Sequence, residues 1–308
     1  MKTRPPRILV LRGGAIGDFI VTLPALRALR ERWPDAYIEL VAYLRIAPLA
    51  LCGGVVDKVT SLDQAQVARF YGQNPKFPVD QVTFILSFDF VLLYLHDPDE
   101  LVRTNLQLAG ARQVLYGSPK VEGSHAVDHL VRPLEALAIY ARGAEPVLDV
   151  PEDWRRKGVE LIRAAGVAER PVVLHPGSGS ERKNWRVDGF IEVAHGLGLE
   201  EALFTAGEAD DGVVPLVSAA GFRIAPTSSL QELAAVLSCA RAFVGNDSGV
   251  THLAAAMGVP TLGIFGPTRK TEWGPRGRRV RILEAPEGDL AQLEASVVAA
   301  AVVDILSD

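Results

Sequence analysis

A short apolar run that ends in a glycine-rich loop constrains the fold more than any other feature of this sequence. Arg7–Arg12 (RILVLR) predicts a buried strand, and the loop GGAIGD at 13–18 follows it directly. From residue 16 to residue 29, apolar side chains recur every three or four positions, which predicts one face of a helix. Strand, loop and helix in this order build parallel sheets, so the chain is expected to be an α/β protein.

The alternation continues through the first half of the chain. Tyr37–Ala42 predicts a second strand, and Val82–Leu95 contains at least one more. Pro24 lies inside the first helical pattern, where it lacks an N–H donor, and it is expected to kink that helix or to mark its restart. Residues 1–150 are therefore predicted to form one α/β domain with a parallel sheet.

The pattern restarts after an extended, acidic stretch at Pro146–Asp153, which places a domain boundary near residue 150. Residues 151–308 are predicted to form a second α/β domain, and it stays open whether its last helix packs back on the N-terminal domain. The strands expected there are Val172–Leu174, Ala202–Ala206, Ala242–Gly245 and Thr261–Phe265, and the helices are Trp154–Ala165, Gly189–Gly196, Ser229–Cys239, Val250–Met257 and Asp289–Leu306.

Composition narrows the classes of partner. The net charge is −5, which argues against nonspecific electrostatic binding to nucleic acid. A basic run at 269–281 is typical of solvated surface, with contact to an anionic acceptor or a membrane surface as the alternative. Apolar runs are too short for a signal peptide or a membrane span, so we expect a cytoplasmic protein and leave peripheral contact with the membrane open. Cys52 and Cys239 lack metal-ligand spacing and are expected to be buried thiols in a reducing compartment.

The first loop is a candidate ligand site because it follows the carboxyl end of a strand. Gly14 and Gly17 let the backbone approach a ligand, although the loop matches neither a dinucleotide fingerprint nor a P-loop. Asp18 is the acid in this loop. It is either a helix-capping carboxylate or a general base that faces a sugar hydroxyl.

A second candidate loop, HPGSGSERKNW at 175–185, also follows a strand. The hydroxyls of Ser178 and Ser180 can line an anion pocket, and Lys183 supplies a mobile positive charge for phosphate. The alternative is a solvated loop with an ordinary surface lysine.

The third candidate loop, at 245–252, again lies between a strand and a helix. Backbone N–H groups near Ser248 and Gly249 would face a diphosphate at the helix N-terminus. Asp247 is either part of that site or a helix cap, and His252 is either a ligand-facing side chain or a buried core histidine.

Glu208 follows a predicted strand and could accept hydrogen bonds from ribose hydroxyls, with ordinary surface glutamate as the alternative. The sequence argues against a metal site, because the six histidines are scattered and no Asp-x-Asp pair precedes the nucleotide-site candidates. No metal or other cofactor is therefore expected. The charge of a leaving diphosphate would be neutralised by Lys183 and backbone dipoles.

These pieces, in this order, resemble glycosyltransferase family 9, the ADP-heptose:lipopolysaccharide heptosyltransferases. The segments that carry the resemblance are ILVLRGGAIGDFIVTLPALRALRERWPDA at 8–36, HPGSGSERKNWRVDGF at 175–190 and NDSGVTHLAAAMGVPTLGIFGPT at 246–268. The resemblance implies a GT-B fold, in which two Rossmann-like domains with parallel sheets, an acceptor-binding domain (1–150) and a donor-binding domain (151–308), face a central cleft. It also implies inverting, metal-free transfer of a sugar, heptose above all, from an ADP-sugar to a lipopolysaccharide core or a related cell-envelope glycan.

The resemblance also implies a role for each candidate residue. Asp18 falls on the catalytic base, Lys183 on the phosphate-binding lysine and Glu208 on the ribose-binding acid. The donor-diphosphate loop corresponds to Asp247, Ser248, Gly249 and His252. Two alternatives stay open: a GT-B transferase that uses another nucleotide sugar or acceptor, and a catalytically silent sugar-nucleotide-binding protein, against which the intact Asp18 and Lys183 argue.

Overall fold

The structure is a computed structural model that describes residues 4–199, 202–207, 210 and 212–307. The chain divides into two compact units, unit 1 (Met1–Ala144) and unit 2 (Glu145–Asp308). The division falls just before the extended stretch at which the sequence placed the boundary. In the described parts of the chain, none of the helices has the length and apolar character that spanning a bilayer requires.

Unit 1 is an α/β unit built on a parallel sheet with the strand order β3-β2-β1-β4-β5 among its described residues. Its strands are β1 (Arg7–Arg12), β2 (Tyr37–Ala42), β3 (Lys58–Ser61), β4 (Phe90–Tyr94) and β5 (Val114–Tyr116), and its helices are α1 (Ile16–Arg32), α2 (Ala47–Cys52), α3 (Ala65–Ala68), α4 (Val79–Leu86), α5 (Leu101–Leu108) and α6 (Ala126–Val131). Short 3₁₀ turns occur at Leu44–Ile46, Arg69–Tyr71 and Arg132–Leu137.

The central strand β1 is apolar and buried from Ile8 to Leu11, as a strand covered on both faces requires. Its pairs with β2 include Leu9 with Glu39 and Leu11 with Val41. One face of the sheet packs against α4 and α5 in a core that contains Leu9, Leu11 and Val41. Helix α1 contacts α6.

One detail of unit 1 differs from the sequence prediction, and another adds to it. Helix α1 runs through Pro24 without interruption, because its flanks from Phe19 to Leu29 are almost entirely buried and tertiary packing outweighs the local cost of proline. The strand predicted within Val82–Leu95 is confirmed as β4, which begins at Phe90; the first part of the same apolar stretch completes helix α4. Periodicity alone does not separate these two states in a short apolar run.

Unit 2 contains a second parallel sheet, with the order β11-β10-β9-β6-β7-β8 in its described residues. Its strands are β6 (Val172–His175), β7 (Leu203–Phe204), β8 (Arg223–Ile224), β9 (Ala242–Asn246), β10 (Thr261–Phe265) and β11 (Val280–Glu284), and its helices are α7 (Glu152–Ala164), α8 (Val187–Gly196), α9 (Val213–Ala219), α10 (Leu230–Ser238), α11 (Gly249–Ala256), α12 (Lys270–Trp273) and α13 (Ala295–Ser307). Short 3₁₀ turns lie at Glu181–Lys183, Pro286–Gly288 and Leu290–Gln292. The predicted class, two Rossmann-like α/β units with parallel sheets, is confirmed.

The last helix, α13, packs on α8 and on strands β9 to β11 of its own unit. Val298 and Val302 lie in the unit 2 core. The helix begins at Ala295 rather than at the predicted Asp289, because the Asp289 carboxylate accepts the Ala291 N–H (3.0 Å) and caps a separate 3₁₀ turn. Glu287, just before that turn, has a left-handed backbone (φ 53°) that no helix can continue.

Helices α7 and α10 pack unusually closely at Gly158. A Cβ built at Gly158 would lie 2.1 Å from the Ala235 carbonyl oxygen of α10. Because that atom is backbone, it cannot move aside without shifting a helix. Glycine is thus required at this position by the spacing of the two helices.

Replacing Gly158 by alanine is expected to lower the free energy of unfolding by about 1–3 kcal/mol through this overpacking, despite the higher helix propensity of alanine. Gly196→Ala is the matched control, because Gly196 is exposed in helix α8 and its Cβ would meet nothing within 4 Å. That variant should be neutral or up to about 1 kcal/mol more stable. Urea denaturation measures both, and a Gly158→Ala protein as stable as the control would contradict the packing.

Candidate functional site

Two of the three candidate loops begin at the same edge of the unit 2 sheet. Strands β6 and β9 pair in parallel, with His175 beside Gly245. The loop at 176–185 therefore starts next to the loop that leads into α11. This is the carboxyl edge of the sheet, where open α/β folds hold ligands.

Asn246 fastens both ends of the 176–185 loop to β9. Its Nδ2 donates to the Pro176 carbonyl (2.6 Å), and its Oδ1 accepts the Trp185 N–H (3.1 Å). The side chain is fully buried, and its own backbone carbonyl accepts the Thr251 hydroxyl (2.5 Å). Sequence reasoning missed this residue, although an amide that ends an apolar strand (AFVGN) is the signal that could have found it.

Lys183 and Asp247, one from each loop, form an ion pair. The distance from Lys183 Nζ to Asp247 Oδ2 is 2.8 Å, and the side chains are 37% and 7% exposed. Among the described residues, no hydrogen bond of regular geometry reaches that carboxylate oxygen, so the lysine is its counter-ion. A buried carboxylate thus holds an accessible ammonium at the carboxyl edge of the sheet.

Helix α11 begins at the same edge. The Ser248 hydroxyl caps it by accepting the Thr251 N–H (3.3 Å), and Gly249 is its first residue. The amides of the first turn and the positive end of the helix dipole are therefore close to the Lys183–Asp247 pair. His252 lies in the second half of the first turn and is 5% exposed, so it has the burial of a core histidine.

The loop that carries Lys183 is shaped by its own serines. The Ser178 hydroxyl donates to the Ser180 carbonyl (2.7 Å) and accepts the Ser180 N–H (3.2 Å). Both serines are half-buried. The turn that they form precedes the 3₁₀ segment that ends in Lys183, so these residues position the lysine.

Asp210 supports this loop from β7's side. A Cβ at Gly177 would lie 2.1 Å from the Asp210 carboxylate, so only glycine allows that approach. Asp210 accepts the Gly207 N–H (2.7 Å). Burial lowers the pKa of His175, and the negative charge of Asp210 acts in the opposite direction. The Nδ1 atom of His175 also contacts the Thr205 hydroxyl (3.1 Å). Asp210, which sequence reasoning missed, therefore helps to fix the turn behind the lysine loop.

Asp18 lies in unit 1, in the first turn of α1. Its Oδ2 accepts the Ala15 N–H (2.8 Å), so the capping interpretation is realised in the structure. Its Oδ1 pairs with Arg12 (2.9 Å), and the side chain is 30% exposed. The same carboxylate is therefore fixed from two sides and still accessible, so its role as a base stays a prediction.

Arg12 is the buried partner that sequence reasoning missed. It is 3% exposed, and its guanidinium also donates to the Thr22 hydroxyl (3.0 Å) and the Asp18 carbonyl. Burial lowers the pKa of Arg12, and Asp18 raises it. An arginine at the end of a buried strand is the signal for such a pair.

Gly14 leaves the space that the Asp18 carboxylate occupies. It has a left-handed backbone (φ 95°), and a Cβ there would lie 2.5 Å from the Asp18 carboxylate. Gly17 lies in the first turn of α1, next to Asp18. The glycines of this loop thus let the carboxylate fold back onto the chain.

The remaining sequence predictions concern Glu208, metal binding and the basic run at 269–281. Glu208 lies outside the described residues. In the described parts of the chain, no three His, Cys, Asp or Glu side chains are grouped as metal ligands. Within the basic run, Arg269 pairs with Glu272, Lys270 with Glu284 and Arg281 with Asp304, as surface charges do.

Comparisons with known proteins show which protein family and which relatives this chain is similar to. Residues 108–301 match the model of glycosyltransferase family 9 (heptosyltransferase). The chain is 28% identical over 284 residues to lipopolysaccharide heptosyltransferase 3 of Escherichia coli K12, which covers 84% of this chain and 82% of the relative.

Two solved structures share the fold. The glycosyl transferase family 9 protein from Veillonella parvula superposes with a TM-score of 0.79 at 21% identity, covering 99% of this chain and 98% of that one. Escherichia coli heptosyltransferase WaaC with ADP-2-deoxy-2-fluoro heptose has a TM-score of 0.70 at 20% identity, covering 97% and 99%.

The ion pair changes what is expected of Lys183 variants, because an exposed lysine could be removed without loss of stability. Lys183→Met leaves the buried Asp247 carboxylate without a counter-ion and should lower the free energy of unfolding by about 1–3 kcal/mol. Asp247→Asn in the same chain should recover part of that loss. Thermal or urea denaturation of the single and double variants measures the coupling.

Lys157→Met is the control for this cycle, because Lys157 pairs loosely with Glu160 (3.8 Å) on the surface of α7. It should change stability by less than about 0.5 kcal/mol. If Lys183→Met matched that control, Lys183 would be an ordinary surface lysine.

Proposed function

Because this chain belongs to glycosyltransferase family 9 (heptosyltransferase), and is therefore a glycosyltransferase, we propose that it transfers heptose from an ADP-sugar to a lipopolysaccharide core or a related cell-envelope glycan. The observation that carries this proposal is the convergence of Lys183, Asp247 and the N-terminus of α11 at one sheet edge. A cation and a helix N-terminus at the same edge suit a diphosphate.

The donor assignment is also supported by the solved relatives. WaaC is described in complex with an ADP-heptose analogue, and this chain covers 99% of that structure. In this chain, we propose that Lys183 contacts the diphosphate, the first turn of α11 binds it through backbone N–H groups, and Glu208 binds the ribose. Ser178 and Ser180 shape the loop that presents the lysine.

We propose that the transfer needs no metal. When the bond to the leaving group breaks, negative charge develops on the β-phosphate of ADP. Lys183 is accessible at the sheet edge and can meet that charge, with the α11 dipole acting in the same direction. In this proposal, Lys183 and the α11 dipole provide the charge stabilisation that a bound divalent cation provides in metal-dependent enzymes.

Asp18 is proposed as the base of an inverting displacement. Its carboxylate takes the proton of the acceptor hydroxyl while that oxygen attacks the anomeric carbon from the face opposite the leaving group. The bond from the anomeric carbon to the diphosphate oxygen breaks, and its electron pair leaves with ADP. Arg12 and the Ala15 N–H hold the carboxylate in one orientation.

The direct test is ADP release from ADP-heptose with a series of truncated lipopolysaccharide cores, in the presence of EDTA. Turnover with at least one core is expected, with inversion at the anomeric carbon by NMR. Failure of ADP-heptose to bind would overturn the donor. Intact donor binding without transfer to any core would overturn the acceptor, and turnover that requires added magnesium would overturn metal independence.

Asp18→Asn is expected to lower transfer by at least about 100-fold, because the amide cannot accept the proton. It should also cost about 1–3 kcal/mol of stability, because the buried Arg12 loses its carboxylate. Donor affinity should stay near normal, since Asp18 lies in unit 1 and the proposed donor residues lie in unit 2.

The control is Thr22→Val, which removes the hydroxyl partner of Arg12 and leaves the carboxylate in place. It should lose stability to a similar degree and keep most of its turnover. Near-normal turnover in Asp18→Asn, or an equal loss of turnover in Thr22→Val, would assign Asp18 a structural role only.

A further inference from the structure

Unit 1 has a crevice at the centre of its sheet, and the proposed transfer assigns a role to one side of that crevice only. The chain runs outwards from β1 through β2 and β3, and then adds β4 and β5 on the other side of β1. Because right-handed crossovers in opposite directions place their helices on opposite faces of a sheet, the loops after β1 and β4 diverge. Open parallel sheets bind ligands outside the carboxyl ends of the strands at such a reversal.

Unit 2 has the same reversal of strand order, between β6 and β9. Lys183 lies in the loop after β6, and Asp247 follows β9 directly. Both sides of that reversal therefore contribute to the proposed donor site. In unit 1, the loop after β1 leads to Asp18, and the loop after β4 has no role in the proposed transfer. By correspondence with unit 2, the residues that directly follow β4 lie at the same crevice as Asp18.

The loops after β1 and β4 begin side by side. A Cβ built at Gly13, the first residue after β1, would lie 3.4 Å from the Leu95 side chain, which follows β4. The residue after Gly13 is Gly14, where a Cβ would lie 2.5 Å from the Asp18 carboxylate. The residue after Leu95 is His96. His96 and Asp18 are thus each within a few residues of the point at which the two loops touch.

His96 is accessible and is carried by an anchored loop. The residue is exposed, and within the described parts of the chain its imidazole has no hydrogen-bond or ion-pair partner. The next residue, Asp97, is 4% exposed, and its carboxylate accepts the N–H groups of Val102 and Arg103 (both 2.9 Å). These two bonds tie the loop to the first turn of α5. The imidazole is therefore held near the crevice without being engaged by the protein itself.

The chemistry of an imidazole suits a sugar hydroxyl. In the neutral ring, one nitrogen donates a hydrogen bond and the other accepts one, and a hydroxyl can serve as the partner of either. Across the crevice, Asp18 takes the proton of the attacking hydroxyl in the proposed transfer. A second contact to the same sugar would restrict its rotation and hold the attacking oxygen in a reactive orientation.

We propose that His96 binds the acceptor sugar, through a hydroxyl other than the one that Asp18 deprotonates. This inference rests on the proposed transfer, and it assigns the acceptor to the loops after β1 and β4. His96 takes no part in the breaking or forming of bonds. Its contribution is to acceptor affinity and orientation, and the donor is left to unit 2.

Histidine NMR of the full chain tests this contact without requiring turnover. With the histidines labelled with carbon-13 at Cε1, the His96 signal is the one that disappears in His96→Gln. Deacylated, truncated lipopolysaccharide cores are added, and calorimetry establishes which of them bind. A core that binds should shift the His96 signal. A bound core that leaves this signal unchanged refutes the His96 contact alone, whereas the absence of binding by every core refutes the acceptor of the proposed function together with it.

Steady-state kinetics separate this role from a structural one. His96→Ala should raise the acceptor KM by about tenfold, with kcat within about threefold and donor affinity unchanged, because one hydrogen bond to the acceptor is lost. His96→Gln should recover part of that loss, since an amide also donates and accepts. Gln107→Ala, at an exposed position of α5, is the matched control and should leave both KM values and the melting temperature unchanged. An acceptor KM in His96→Ala equal to that of the control, or a loss confined to donor affinity or stability, would contradict the proposal.

Discussion

The in-register pairing of β6 with β9 is the constraint on which the chemistry of unit 2 depends. Because the two strands end side by side, the loops that follow them share one sheet edge, and Asn246 then closes the longer loop at both ends. Without that amide, the buried Trp185 N–H and the Pro176 carbonyl would lose their partners. Lys183 reaches Asp247 only because the loop is held in this way.

Each of the two proposed reactive groups is an accessible charged side chain held by a buried side chain of opposite charge, and the charges are reversed between the two units. In unit 1 a buried cation, Arg12, holds a carboxylate that is 30% exposed, and in unit 2 a buried carboxylate, Asp247, holds a lysine that is 37% exposed. Each buried partner is costly to isolate, so it fixes the orientation of the accessible one. The accessible carboxylate suits a base, and the accessible ammonium suits a diphosphate.

The sequence predicted the features that local patterns specify. Strands β1, β2 and β10 have the predicted bounds, because short runs rich in apolar and β-branched residues are a local signal for a buried strand. It could not predict that α1 would pass through Pro24, since burial on all sides of that helix is a tertiary property.

At the candidate site, the sequence identified Asp18 and the Lys183–Asp247 pair, and it missed three residues that position them. Asp18 and Lys183 stand out in glycine-rich loops, whereas Arg12, Asn246 and Asp210 gain their meaning from partners distant in sequence or hidden by burial. Motifs identify the reactive side chains, and hydrogen bonds between residues distant in sequence determine the orientation of those side chains.

The central claim is that the unit 2 sheet edge binds the donor diphosphate through Lys183 and α11. Hydrogen–deuterium exchange of the full chain, with and without ADP-heptose in EDTA, tests it most directly. The account predicts protection concentrated in the amides of 176–185 and 248–252, since the ligand would order the lysine loop and cover the first turn of α11. Binding that leaves both segments unprotected, or protection confined to other parts of the chain, would contradict it.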